Sequence, residues 1–176
     1  MNRRLLIQAF VAMLFGRMVY AADAKTKMNA VSIGPWSLEI PASWKSVERK
    51  SGIPYVESPD GGKGCYIKAI TFPETRQSAE EAAAYLQDGH ERGYLRDVQA
   101  KWKAMDRSTR QVGAIAYSTL DLFDQSKSYR VLSLVAATRK VALQLTLHDY
   151  DCRNYDATAA AFVSILNSVH GPSSDD

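Results

Sequence analysis

Residues 129–150 read YRVLSLVAATRKVALQLTLHDY, and this stretch decides the fold. Val141, Leu143, Leu145 and Leu147 alternate with Ala142, Gln144, Thr146 and His148, the period of a β-strand with two unlike faces. Tyr129–Thr138 reads as the strand before it, and Thr138–Lys140 as the reversal between them. A connection that short joins spatial neighbours, so the pair is antiparallel.

Working outward, Val112–Phe123 reads as a further strand, joined to the pair through Asp124–Lys127. Downstream, Asn154 is a plausible N-cap for a helix over Tyr155–Val169, which Gly171-Pro172 ends. Its apolar stripe is Phe162, Ile165, Leu166 and Val169. Upstream, Ser78 and Glu81 form a capping box for an Ala-rich helix with Ala79, Ala82, Ala83 and Leu86 on one face. Gly89 and Gly93 weaken its second half, and an end near Gly93 is one outcome. Tyr94–Met105 carries no clear period and is assigned to neither helix nor strand.

The first third supplies Val31–Gly34, Trp36–Ile40, Tyr55–Ser58 and Cys65–Phe72 as strands. Pro59-Asp60-Gly61-Gly62 is the turn before the last of these. Cys65, Ile67, Ala69 and Thr71 share one face; Tyr66, Lys68, Ile70 and Phe72 share the other. The order β-β-β-α-β-β-β-α predicts an α+β fold, an antiparallel sheet of about six strands sandwiched by helices.

The N-terminus reads differently. Arg3 and Arg4 precede the apolar run Leu5–Phe15, and Val19-Tyr20-Ala21 offers a small residue for cleavage. This is the pattern of a secretory signal peptide over residues 1–21. A membrane anchor is the weaker reading, because the apolar core is short and Arg17 interrupts the segment. Residues 22–29 are then a leader, 30–172 a single domain and 173–176 a polar tail. Of 22 basic and 19 acidic residues, Arg3, Arg4 and Arg17 fall within the signal, which holds no acid. The processed chain is therefore neutral, which argues against nucleic acid as a partner. No later apolar run is long enough to insert in a membrane. The expected location is the periplasm.

In that compartment the two cysteines, Cys65 and Cys152, invite a disulfide. It would close a loop of 86 residues, for which chain entropy gives about 4–5 kcal/mol as an upper figure. Two reduced, separately buried thiols are the alternative.

Several segments resemble the PsbP-like superfamily. This fold is shared by extrinsic proteins of photosystem II, a nuclear-import cofactor that binds the Ran GTPase, and bacterial DcrB-like envelope proteins. Trp36-Ser37-Leu38-Glu39-Ile40-Pro41-Ala42-Ser43-Trp44 resembles the family's opening strand and bend. Tyr55–Pro59 with Gly64–Phe72 resembles its first hairpin, Ser78–Leu86 its first helix, and Phe162-Val163-Ser164-Ile165-Leu166-Asn167-Ser168 its last. The resemblance implies the fold and an accessory, protein-binding role. It transfers no functional residue, since the matching positions are structural.

No constellation names a reaction. His148-Asp149-Tyr150-Asp151-Cys152 is the densest polar group, but adjacent strand residues point to opposite faces and converge poorly on one metal. A Cys–His nucleophile needs a free thiolate. Asp121 and Asp124 could be paired carboxylates, and acids at a strand end are more often solvated. No enzyme activity, cofactor or metal is expected. The function expected is that of an exported protein-binding module, in concrete form an immunity protein or inhibitor of a secreted toxin. An envelope accessory for a small ligand or assembly is the alternative, with a hydrolase using His148 as a minor one. Partner contacts are expected from the loops Asp60–Gly64, Asp124–Lys127 and Asp149–Arg153, with Asp60, Lys63, Trp102, Asp124, Asp149, Tyr150 and Asp151 as candidates.

Overall fold

The computed structural model describes residues 27–97 and 101–172. The signal segment, most of the leader and the tail lie outside these residues. The described chain runs β1 (Met28–Ile33), β2 (Trp36–Pro41), β3 (Lys45–Ser46), β4 (Tyr55–Glu57), β5 (Lys63–Thr71) and α1 (Ala79–Leu95). It continues through β6 (Trp102–Val112), β7 (Ile115–Asp124), β8 (Tyr129–Ala137), β9 (Val141–Asp149) and α2 (Tyr155–Leu166). The class is α+β, as the sequence predicts. The strands form a seven-stranded sheet of order β3-β4-β5-β9-β8-β7-β6 and a separate β1-β2 hairpin, and every described pairing is antiparallel.

Two differences from expectation matter. The first is β6, which begins at Trp102, inside the last third of the segment that sequence periodicity leaves unassigned. It is an edge strand with most residues exposed, so no apolar alternation marks it. The strand read from Val112 begins instead at Ile115, as β7: Val112 ends β6, and Gly113, with φ +63, turns the hairpin between them. The second is the pair Met28–Ile33 and Trp36–Pro41, which stands apart from the main sheet and closes over α2. Ser37 and His170 exchange backbone hydrogen bonds of 2.9 and 2.8 Å there.

The central strands β8 and β9 are covered on both faces. On one face Cys65, Ile67, Leu132, Leu134, Leu143, Leu145 and Leu147 pack with Trp36, Leu38 and Ile40, with Phe162, Ile165 and Leu166 of α2, and with Val169 beyond its end, the helix stopping at Leu166 rather than at Val169 as expected. On the other, Phe72, Val135, Ala137 and Ala142 pack under Ala79, Ala82 and Ala83 of α1. The face assignments read from alternation hold in β5 and β9. α1 starts as its capping box requires, the Ser78 hydroxyl accepting from the Glu81 amide at 3.0 Å. It continues through both glycines to Leu95. Its buried stripe ends in a polar residue, Gln87, and Leu86 is only partly covered.

Candidate functional site

The register of the sheet sets one end of the molecule. Lys63 lies opposite Asp149, Asp149 opposite Arg130, Asp124 opposite Tyr129 and Trp102 opposite Asp124. Five strands therefore begin or end in one row. The segment after β9 ties the neighbouring turns together: the Tyr150 amide donates to Gly62 O at 3.0 Å, and the Cys152 amide to Ser128 O at 2.6 Å. All seven candidate residues thus lie at this end, on β5, β6, β7, β9 and the turns between them.

They do not share a role. Asp60 is exposed and acts locally, accepting from the Ser58 hydroxyl at 2.5 Å and the Gly62 amide at 3.0 Å. Those bonds hold its carboxyl below the usual range, the Ser58 bond most of all. Asp124, expected as a contact residue, is instead fully buried. Its Oδ1 accepts from the Ser126 hydroxyl at 2.6 Å, the Ser126 amide at 2.9 Å and the Lys101 amide at 3.3 Å. It is the internal brace of the β7–β8 turn, an Asx-type role. Asp149 is likewise buried, accepting from Thr158 on α2 and facing the Lys63 ammonium at 3.7 Å. Lys63 is half-buried, while Tyr150 and Asp151 are exposed, with Asp151 paired to Arg153 at 2.7 Å. Trp102 is half-buried rather than free.

The reason for the burial of Trp102 is an aromatic cluster that sequence reading does not assemble. On the α1 side of the sheet, rings meet in an unbroken series. Tyr55 touches Tyr66 at 4.5 Å between centroids, Tyr66 touches His148 at 5.4 Å, and His148 stacks with Tyr129 and Tyr150, each at 5.8 Å. Tyr129 meets Trp102 at 5.1 Å, Trp102 meets Tyr94 at 4.9 Å, and Tyr94 meets His90 at 5.1 Å. Arg49 caps one end with its guanidinium 4.2 Å from the Tyr55 ring. The residues come from six elements and two loops. Tyr66 and His148 carry the one available hint, since both stand opposite the leucine face of their strands.

The polar atoms of the cluster are matched mainly to one another. The Tyr55 and Tyr150 hydroxyls lie 3.0 Å apart, and the Tyr129 hydroxyl bonds His148 Nδ1. Gln144 Nε2 lies 3.1 Å from His90 Nδ1, an arrangement in which the amide donates and the ring proton sits on Nε2. Burial pushes both histidines down to about 4, and for His148 the neighbouring His90 adds to it. Burial pushes the phenols of Tyr94, Tyr129 and Tyr150 up. At neutral pH the cluster is an uncharged aromatic surface with buried hydrogen bonds.

The cysteines are free thiols. Cys65 lies on β5 opposite Leu147, its sulfur against the Tyr66 carbonyl, while Cys152 is tied to Ser128 and Thr158. The bond expected between them is not present in the structure. Among the described residues no group of three or more His, Cys, Asp or Glu side chains is placed to hold a metal. No described helix is long and apolar enough to cross a membrane.

No protein-family model matches the chain, and no curated protein is similar to it in sequence. Solved structures do match. Cyanobacterial PsbP (CyanoP) from Synechocystis superposes with a TM-score of 0.62 at 13% identity, over 88% of this chain and 98% of its own. LpqN of Mycobacterium tuberculosis, involved in cell envelope biogenesis, superposes with a TM-score of 0.54 at 14% identity, over 85% of this chain and 94% of its own. A Bacteroides thetaiotaomicron protein matches with a TM-score of 0.52 at 14% identity, over 87% of this chain and 51% of its own. At such identities the likeness concerns architecture, and the architecture of this chain is the PsbP-like fold.

Proposed function

We propose that this chain is a non-catalytic, exported accessory module that docks on a partner protein through the aromatic end of its sheet. The observation that carries the reading is the convergence of Tyr66, Tyr94, Trp102, Tyr129 and Tyr150 with three mutually tied turns. Tyrosine, tryptophan and arginine are the residues that carry most binding energy at protein interfaces. Here their rings are pre-ordered by stacking, so little side-chain entropy is lost on docking. A non-catalytic role is supported by the state of the nucleophiles: neither thiol is hydrogen-bonded to a histidine, and burial pushes both thiols up, Cys65 to about 12. The structural likeness to LpqN, a protein involved in cell envelope biogenesis, and the signal pattern at residues 1–21 support export to the periplasm. The concrete form we favour is an immunity protein or inhibitor that caps a secreted toxin.

The test is affinity capture from periplasmic extract with the tagged wild type and a Trp102→Ala/Tyr150→Ala variant, read by mass spectrometry. A partner retained by the wild type and reduced about tenfold or more by the variant is expected. A partner bound equally by both would refute docking at this end. Small-ligand binding is the second reading, favoured by His90 Nε2 and Gln87 Nε2, two buried nitrogens of α1 that have no hydrogen-bond partner. A thermal-shift screen against neutral, acceptor-bearing metabolites checks it, with no shift for any of them counting against it.

A further inference from the structure

The corner of the site at Trp102 has a chemistry distinct from the rest, and we infer that it receives an extended acidic segment of the partner, added as a strand to the free edge of β6. The inference rests on the docking role proposed above and names the partner's chemistry. Three observations meet there.

The first is the edge. β6 is the last strand of the seven-stranded sheet, and no described strand pairs with its outer side. Its 11 residues span about 36 Å, a long row of backbone donors and acceptors of the kind that peptide strands extend.

The second is the charge. Lys101, Lys103 and Lys127 are exposed and surround Trp102: Lys101 and Lys103 flank it in the chain, and the Lys127 amide bonds back to Asp124 O at 3.3 Å, directly across the sheet. None of the three is in an ion pair among the described residues. Farther along the same strand the pattern changes. Arg107 is answered twice by α1, through Asp88 and through Glu91 at 2.8 Å. Asp124, across the sheet from Trp102, is buried and engaged with Ser126 and the Lys101 backbone, and the Lys127 charge acts on it without an ion-pair contact. The three lysines therefore put a surplus of exposed positive charge at this corner, with Asp106 the exposed carboxylate farther along the strand.

The third is the anchor. Trp102 is held edge-on to Tyr94 and tilted on Tyr129, so an aromatic platform begins where the lysine-flanked edge begins. A register irregularity between Ala104 and Asp106 places Met105 as an extra residue, with its side chain exposed beside the edge. Natural edges carry charge and bulges to refuse indiscriminate pairing. A surplus of one sign turns that refusal into a filter, which a strand of opposite sign passes.

The test uses a synthetic 12-residue peptide alternating glutamate with valine and threonine, titrated into the isotopically labelled protein and followed by backbone amide shifts and calorimetry. Controls are the same peptide with lysine for glutamate, a copy N-methylated at alternate amides, and a single-stranded oligonucleotide. Binding of the glutamate peptide is expected, with shifts confined to residues 101–112 and the Trp102 indole. It should weaken about tenfold or more in Lys101→Glu/Lys103→Glu/Lys127→Glu, and also between about 50 and about 500 mM salt. N-methylation should abolish it. The inference is overturned if the glutamate peptide does not bind, if the lysine or N-methylated peptide binds as tightly, or if the reversal variant is unaffected. Equal binding of the oligonucleotide would overturn it in favour of a general polyanion site. Should the partner found by affinity capture bind the reversal variant at full strength yet lose Trp102→Ala/Tyr150→Ala, the acidic-strand inference falls while docking at the aromatic end stands.

Discussion

Replacement of Asp121 by leucine should cost this fold a large part of its stability, and the second replacement Arg130→Met should return most of it. Arg130 and Asp121 form a two-pronged pair, Nε to Oδ1 at 3.0 Å and an Nη to Oδ2 at 2.8 Å. Their side chains are 0% and 4% exposed, so water screens neither. Removing the carboxylate takes both of these bonds from a guanidinium buried in the core, a loss of about 3–5 kcal/mol. Asp149 stands across from Arg130, but it already accepts from Thr158 and faces Lys63, so its capacity to take over is limited. Domains of ordinary size have about 5–15 kcal/mol in total, so the single variant should be folded but fragile. In urea, with a slope of about 2 kcal/mol per molar, its midpoint should fall by about 2 M. With both residues replaced, the polar desolvation disappears along with the attraction, and the midpoint should return to within about 0.5 M of wild type. A single variant that loses less than about 1 kcal/mol would refute the uncompensated-charge argument. So would a double variant as unstable as the single one, which would place the cost in packing instead.

Three further outcomes follow from the site. Gly64→Ala should destabilise by about 1–3 kcal/mol and alter the near-ultraviolet circular dichroism, because a Cβ there would lie 1.7 Å from the Tyr55 hydroxyl and 2.2 Å from the ring; an unchanged melting curve would contradict the packing. Stability should fall as pH drops from about 6.5 to about 4: both histidines are held neutral in the fold with values near 4, while the unfolded chain takes up protons from the higher pH. Each contributes up to about 3 kcal/mol to that loss, so a chemical-denaturation series in which His148→Gln leaves the slope against pH unchanged would count against it. Finally, a native thiol-labelling time course should modify the half-buried Cys152 first and Cys65 only on unfolding. Mass spectrometry of the unreduced, unfolded protein should show two labels, and zero labels would establish a disulfide after all.

What could be read from the residues alone follows their burial. β8 and β9 are legible because each alternates against two covered faces, and α1 because Ser78 and Glu81 mark its start. β6 is not, since an edge strand with both faces largely in water imposes no apolar period on its residues. Asp124 and Asp149 look like solvated loop acids. Their burial depends on Ser126, Lys101, Thr158 and Lys63, and three of those reach them only through tertiary structure or the sheet. The candidate loops were legible as turns, and their convergence follows from strand order, which sequence patterning does not specify. The aromatic cluster was hidden for the same reason: its members span positions 55 to 150 and meet only once β5, β9, β8, β7 and β6 are laid side by side.

The backbone bonds from Tyr150 to Gly62 and from Cys152 to Ser128 have a consequence for how this protein can change. Three turns that other folds vary independently are here one mechanical unit. Lengthening any of them pulls on the other two and on the rings above, so new specificity must come from exchanging side chains rather than from inserting residues. The opposite end offers the contrast. At Gly113 the β6–β7 hairpin turns in open space, with nothing within 4 Å of where a side chain would start. That turn is the place where a reporter, a tether or a second domain can be joined without disturbing the binding end.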